Sequence, residues 1–112
     1  MTCPIPRWQL LKQDLVNVGP EEFDRLRKDA PAGTLIDVRS PAEFEGDHLE
    51  GAINMNYLGP DFLEEMEQLD EGVQYLVYCR SGRRSVRACT LMRNAGITNL
   101  IHLDGGINAY DK

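Results

Sequence analysis

Cysteine is scarce in this sequence and nowhere paired. Its three cysteines, Cys3, Cys79 and Cys89, include no Cys-x-x-Cys motif, and an odd, widely spaced set is not the framework of a disulfide-stapled fold. Histidine is scarcer still. His48 and His102 have no ligand-like spacing to the cysteines, which argues against a zinc site. Long apolar runs are missing as well: no stretch is long enough to span a bilayer, and no basic start leads into an apolar run of signal-peptide length. Positive charge is in short supply, with 12 Lys and Arg against 18 Asp and Glu and a net charge of −6, so a general nucleic-acid surface is not expected. The chain reads as cytoplasmic, without nucleic-acid or membrane partners, in a reducing compartment that suits a working thiol.

What is present fits one soluble globular domain. At 112 residues, 42% hydrophobic and 27% charged, the chain can bury a single core without staples. Residues 1–15 read as an N-terminal extension and 16–112 as the domain. In the extension, Trp8, Leu11 and Leu15 fall at helical spacing and can pack a short amphipathic helix on the domain's edge.

The stretch Tyr75 to Ser85 organises the rest. Tyr75 to Tyr78 form the short apolar run of a strand buried on both faces, and Cys79 follows at its carboxyl end, its thiol expected to point out of the sheet edge. Ser85 to Ala95 reads as a helix that stops at Gly96. The intervening residues must turn the chain, and Gly82 lets the turn close. A strand, a tight loop and a helix start make an anion site, because backbone N–H groups converge there and the helix dipole adds positive potential. Arg80, Arg83 and Arg84 add full charges, and five of the twelve Lys and Arg lie between Arg80 and Arg93. Both effects favour a Cys79 thiolate with a depressed pKa, a nucleophile that draws small anions.

Elsewhere, strand and helix signals alternate. Val16–Val18 suits an edge strand. Gly19-Pro20-Glu21-Glu22 opens a helix that buries Phe23, Leu26 and Ala30. Thr34–Val38 reads as a buried strand, and Ser40-Pro41-Ala42-Glu43 is a capping box. Gly51–Asn54 makes a short strand, and Pro60 starts a helix with Phe62, Leu63, Met66 and Leu69 facing inward and Glu64, Glu65 and Glu67 facing solvent. After the loop, Val86, Cys89 and Met92 share a core stripe, and Ile97 contacts Met92 in a Schellman ending. Asn99–Leu103 is the last strand, and Gly105-Gly106 turns the chain into a short final helix. The alternation implies a mainly parallel sheet with helices on both faces, and ligands in such sheets sit beyond the carboxyl ends of the strands. Cys79 lies there.

Three ordered motifs carry a family resemblance. Cys79-Arg80-Ser81-Gly82-Arg83-Arg84-Ser85 resembles the active-site loop of rhodanese-type sulfurtransferases. Asp37-Val38-Arg39-Ser40-Pro41-Ala42-Glu43-Phe44 with His48-Leu49-Glu50-Gly51-Ala52-Ile53-Asn54 is similar to the family's Asp-Val-Arg…Glu-Phe…His-Ile-x-Gly-Ala-x-Asn signature. Leu103-Asp104-Gly105-Gly106-Ile107-Asn108-Ala109-Tyr110 is similar to its closing Leu-x-Gly-Gly-x-x-Ala-Trp. The resemblance implies a three-layer α/β sandwich and a sulfurtransferase that needs neither metal nor organic cofactor. Sulfur would pass from a small anionic donor such as thiosulfate to a persulfide on Cys79, then to a thiol or cyanide acceptor. In that picture the backbone N–H groups from Arg80 to Arg84 cradle the sulfur, with Ser81, Gly82 and Ser85 completing the loop. Arg80 and Arg83 meet the donor and Arg84 braces the loop. The charged loop looks more like thiosulfate-type than mercaptopyruvate-type rhodaneses.

Asp37 and Arg39 end a strand near the site and read first as a structural pair, second as supporting catalytic residues. His48 reads as a structural hydrogen-bonding residue. The departures from the pattern are Asp47 before the histidine, where glycine is common, and Tyr110 in place of tryptophan.

Two rivals are weighed against the enzyme. A cysteine phosphatase or arsenate reductase would use Cys-x5-Arg, whereas position 85 is serine and Arg84 comes one residue early; a residue is worth about 3.3 to 3.6 Å of chain reach, so the shorter loop favours one sulfur over a phosphate. The other rival is a sulfur-carrier or regulatory module acting on a protein sulfur acceptor. Cys3-Pro4-Ile5-Pro6 matches the Cys-Pro-x-Pro motif of small sulfur-carrier proteins, but that motif follows a strand, and none can precede residue 3.

Overall fold

The alternating strand and helix signals resolve into eleven elements in the computed structural model, which describes residues 6–110; Cys3, with Pro4 and Ile5, lies outside them. In order they are α1 (Arg7–Lys12), β1 (Val16–Val18), α2 (Pro20–Lys28), β2 (Leu35–Asp37), α3 (Pro41–Gly46), β3 (Ile53–Asn54), α4 (Phe62–Glu67), β4 (Tyr75–Tyr78), α5 (Arg83–Asn94), β5 (Leu100–Leu103) and a 3-10 turn (Ile107–Tyr110). The strands form one sheet in the order β1-β5-β4-β2-β3, and every pair is parallel.

The central strand β4 shows why the sheet is covered on both sides. All four of its residues are buried, and their alternation sends Tyr75, Val77 and the following Cys79 to one core and Leu76 and Tyr78 to the other. The first core includes Phe62 and Met66 of α4 with Ala88, Cys89 and Met92 of α5. The second includes Phe23 of α2 and Leu103, flanked by Ile107 and Tyr110. The result is an α/β fold with helices on both faces.

Local signals account for most element boundaries. α3 begins with a complete capping box: the Glu43 N–H donates to Ser40 Oγ at 3.2 Å and the Ser40 N–H to Glu43 Oε1 at 3.0 Å. α5 ends in a Schellman-type arrangement, Gly96 having φ +102° and the Ile97 N–H donating to the Met92 carbonyl at 2.9 Å. α1 packs on α5, so the segment before β1 covers part of the domain.

Two expectations need correction. Pro60 does not start α4: the chain turns through Gly59 and Pro60, and the helix runs only from Phe62 to Glu67. In so short a helix Phe62 and Met66, four apart, share the buried face, while Leu63 is turned away and 57% exposed. Further on, α5 starts at Arg83, two residues before Ser85. Both arginines therefore sit in the helix's first turn, which matters for the site.

The α4 packing is testable by paired truncations followed by denaturant melts. Met66→Ala should cost about 2–5 kcal/mol, the range for deleting a buried large side chain. Leu63→Ala should stay within about 0.5 kcal/mol, as for surface changes.

Candidate active site

β4 delivers Cys79 from the middle of the sheet, and Gly82, at φ +108° and with α5 starting at the next residue, folds the chain back over it. That positive φ is cheap for glycine alone. The turn brings three donors onto the Cys79 Sγ: the Gly82 N–H at 3.1 Å, the Ser85 N–H at 3.3 Å and the Ser85 hydroxyl at 3.2 Å. Of the N–H groups expected between Arg80 and Arg84, only that of Gly82 reaches the sulfur. The second backbone donor is Ser85, whose N–H has no intrahelical acceptor because it lies in the first turn. The thiol does not point out of the sheet edge. Cys79 is 1% exposed, since the loop wraps its sulfur.

The Gly105-Gly106 turn walls the loop from behind. Ile107 N–H donates to the Cys79 carbonyl at 2.8 Å and Asn108 N–H to that of Arg80 at 3.0 Å. A Cβ on Gly106 would stand 2.4 Å from the Arg80 carbonyl oxygen, so nothing larger than hydrogen fits there.

The arginines divide their work. Arg84 makes a two-pronged ion pair with Glu43 of α3, at 2.7 and 2.9 Å, which ties the loop to β2 and α3 and holds the Glu43 carboxyl down to about 2. Arg83 lies over the Trp8 ring of α1, its guanidinium carbon 5.2 Å from the centroid. Arg80 and Ser81 are exposed. Arg80 lines a cleft of about 550 Å³ together with Arg39, Glu43, Asp47, His48 and Tyr110.

Asp37 and Arg39 form a buried pair in which Arg39 Nη2 reaches Asp37 Oδ2 at 2.8 Å and Nε reaches Oδ1 at 3.0 Å, while the Arg39 N–H donates to the same Oδ1. Arg39 thus holds the strand end and faces the cleft. His48 stacks on Phe44 and bonds its carbonyl through Nδ1 at 2.7 Å. Tyr110, where tryptophan is usual, uses the hydroxyl that tryptophan lacks: it donates to Asp24 Oδ1 at 2.7 Å and accepts from Arg27 Nε at 3.2 Å. Cys89 is a buried free thiol whose pKa burial pushes up, consistent with core packing.

One contact was not foreseen. The ring of His102, in β5, approaches Ser85 Oγ with Nε2 at 2.6 Å and Asn17 Oδ1 with Nδ1 at 2.8 Å. The strand signal hid it, since a lone histidine in an apolar run gives no sign of which way it faces. Among the described residues, no group of three or more His, Cys, Asp or Glu is placed to hold a metal ion.

Residues 19–112 match the model of the rhodanese-like domain. The chain belongs to that family. An uncharacterized protein of Synechocystis sp. is 36% identical over 100 residues, covering 88% of this chain and 53% of its own, so the rhodanese-like chain spans about half of that relative. A chloroplastic thiosulfate sulfurtransferase of Arabidopsis thaliana is 37% identical over 87 residues, covering 69% of this chain and 72% of its own. The crystal structure of a rhodanese-related protein from Thermoplasma volcanium superposes with a TM-score of 0.72 at 25% identity, covering 85% and 89% of the two chains. A thiosulfate sulfurtransferase is thus among its relatives, and the fold is shared with a rhodanese-related protein.

The Arg84–Glu43 tie predicts a pH dependence of stability. A carboxyl held below its ordinary 4.5 contributes stability that is complete above that value and is lost as pH falls toward about 2. Glu43→Gln should therefore melt lower than the parent at neutral pH, and the gap in Tm should close steadily as pH is lowered from 5 to 2.

Proposed function

We propose that this rhodanese-like domain is a sulfurtransferase that carries a sulfane sulfur as a persulfide on Cys79. The observation that supports it is the convergence of Gly82 N–H, Ser85 N–H and the Ser85 hydroxyl on one sulfur at the start of a helix. Such an array stabilises negative charge on sulfur, in the thiolate and in the persulfide that replaces it.

With thiosulfate as donor, the Cys79 thiolate attacks the outer sulfur. A Cys79–sulfur bond forms, the bond from that sulfur to the sulfonate sulfur breaks, and its electron pair leaves with sulfite. Cys79 then carries an anionic persulfide. Cyanide or a thiolate attacks the terminal sulfur, the sulfur–sulfur bond to Cys79 breaks, and the thiolate is restored as thiocyanate or a new persulfide departs. Neither half-reaction requires a cofactor. Arg80 in the open cleft is the side chain best placed to meet an anionic donor or a protein that delivers or accepts sulfur, with Arg39 beside it. Arg84, committed to Glu43, supports this reading over a phosphatase, because no free guanidinium is left at the end of the loop to enclose a tetrahedral oxyanion.

Among the described residues no helix is long and apolar enough to cross a membrane. A cytoplasmic setting suits a free working thiol.

Intact mass checks the chemistry directly. Reduced protein incubated with thiosulfate should gain one sulfur, Cys79→Ser should gain none, and cyanide should discharge the gain as thiocyanate. Absence of any gain in the parent chain, with Cys79 shown to be reduced, would remove thiosulfate as donor.

A further inference from the structure

Behind the Cys79 sulfur runs a chain of polar groups, buried as far as its half-buried end at Asn17: Ser85 Oγ, 3.2 Å from Sγ; His102 Nε2, 2.6 Å from Ser85 Oγ; and Asn17 Oδ1, 2.8 Å from His102 Nδ1. Cys79, Ser85 and His102 are each at most 1% exposed. Strand pairing builds the far end, because Asn17 and His102 are register partners on β1 and β5. Asn17 Nδ2 is fixed by two carbonyls, Lys12 at 3.0 Å and Leu15 at 3.2 Å, so its oxygen faces the ring and His102 Nδ1 must carry a proton. Burial holds the imidazole down to about 4, and the neutral ring then presents Nε2 as an acceptor.

Ser85 has one proton and three neighbours that can accept it: Cys79 Sγ, His102 Nε2 and the Gly82 carbonyl, 3.2 Å from Oγ. With one titrating proton shared between sulfur and ring, two arrangements satisfy the Ser85 contacts to both. In one, the Cys79 S–H donates to Ser85 Oγ and the Ser85 O–H donates to a neutral His102. In the other, a protonated Nε2 donates to Ser85 Oγ and the Ser85 O–H donates to a Cys79 thiolate. A thiolate beside a neutral ring leaves one of these contacts frustrated, and a thiol beside a charged ring turns the Ser85 proton to the Gly82 carbonyl instead. Two short proton shifts interconvert the satisfied states without moving a heavy atom.

We propose that His102 is a positioning residue that takes up the Cys79 proton through Ser85 when the reactive thiolate forms. The inference rests on Cys79 being the nucleophile. The S–H bond breaks with its electron pair left on sulfur, that proton bonds to Ser85 Oγ, and the proton Ser85 held passes to His102 Nε2. The products are a thiolate and an imidazolium, with no net charge change and no oxidation. Other charges near the ring are Lys12 of α1 and Asp104 after β5, paired with each other at 2.6 Å. From α5 the ring meets Ser85, since Arg83 is turned to Trp8 and Arg84 to Glu43; from β4 its register neighbour is Val77.

Because the two satisfied states hold the same number of protons, their ratio does not change with pH while both groups stay coupled. The test is the rate of Cys79 alkylation by iodoacetamide on the full chain, read at the Cys79 peptide by mass spectrometry, beside His102→Gln. Glutamine can still accept from Ser85 but cannot take up a proton. The parent chain should show a limb nearly independent of pH between 5 and 7, whereas the variant should rise about tenfold per pH unit there, with the two converging at high pH. Equal slopes, or a variant slower by one constant factor at every pH, would overturn the proposal. If His102→Gln does not fold, Ser85→Ala cuts the chain at its middle and should likewise lose the flat limb. Alkylation needs only the thiolate, so failure to gain sulfur from thiosulfate counts against the donor and leaves the relay to be judged by the slopes.

Discussion

A helix start leaves its first N–H groups without intrahelical partners, and in α5 the sulfur of Cys79 takes one of them together with the N–H of Gly82 just before it. That arrangement asks for a negative charge. The sequence then works against the helix, since α5 has no acid in its first turn and two arginines instead. A cation at this end costs about 0.3–1 kcal/mol. Each arginine is given an outside partner of similar worth, Glu43 for Arg84 and the Trp8 ring for Arg83. The positive field is therefore left for the sulfur and whatever it carries, instead of being cancelled by a capping acid.

The segments that secure this loop are far apart in the chain. Glu43 caps α3 and grips Arg84 with one carboxylate, so the helix after β2 and the helix after β4 share an anchor. Asp37 and Arg39 fix the end of β2 beside it. Ile107 and Asn108, just past the Gly-Gly turn after β5, supply two N–H groups to the loop's carbonyls. α1 lends Trp8 from before the family-matched region. Motifs that look like separate signatures in the sequence are parts of a single brace.

How much of this could be read beforehand depended on whether the cause was local. The Ser40 capping box, the glycine that ends α5 and the buried run of β4 are decided within a few residues, and all were legible. The starts of α4 and α5 were not. Pro60 is a good first-turn residue, yet the turn through Gly59 takes it, and Leu63 ends up in solvent as a result. At α5, the positive φ of Gly82 starts the helix early enough to draw in two arginines whose charges argue for a later start. The cradle was legible as a type of site, though its donors shifted by a residue. His102 was beyond reach, because its contact with Ser85 and Asn17 depends on which strand lies beside β5 and in what register. Sheet order is a property of the whole chain.

The wall that the loop makes around the sulfur is main chain: the Gly82 and Ser85 N–H groups face it, and the loop is backed by Gly106, which admits no side chain against the Arg80 carbonyl. Walls made of side chains can be trimmed or enlarged by point substitution. Walls made of backbone cannot. A descendant of this domain that accommodated a bulkier electrophile would have to change the number of residues in the turn, and so re-lay the first turn of α5 and the Gly-Gly segment together. Selectivity by size is in that sense written in chain length, and neighbouring chemistries are separated from this one by an insertion or a deletion more than by a change of residue.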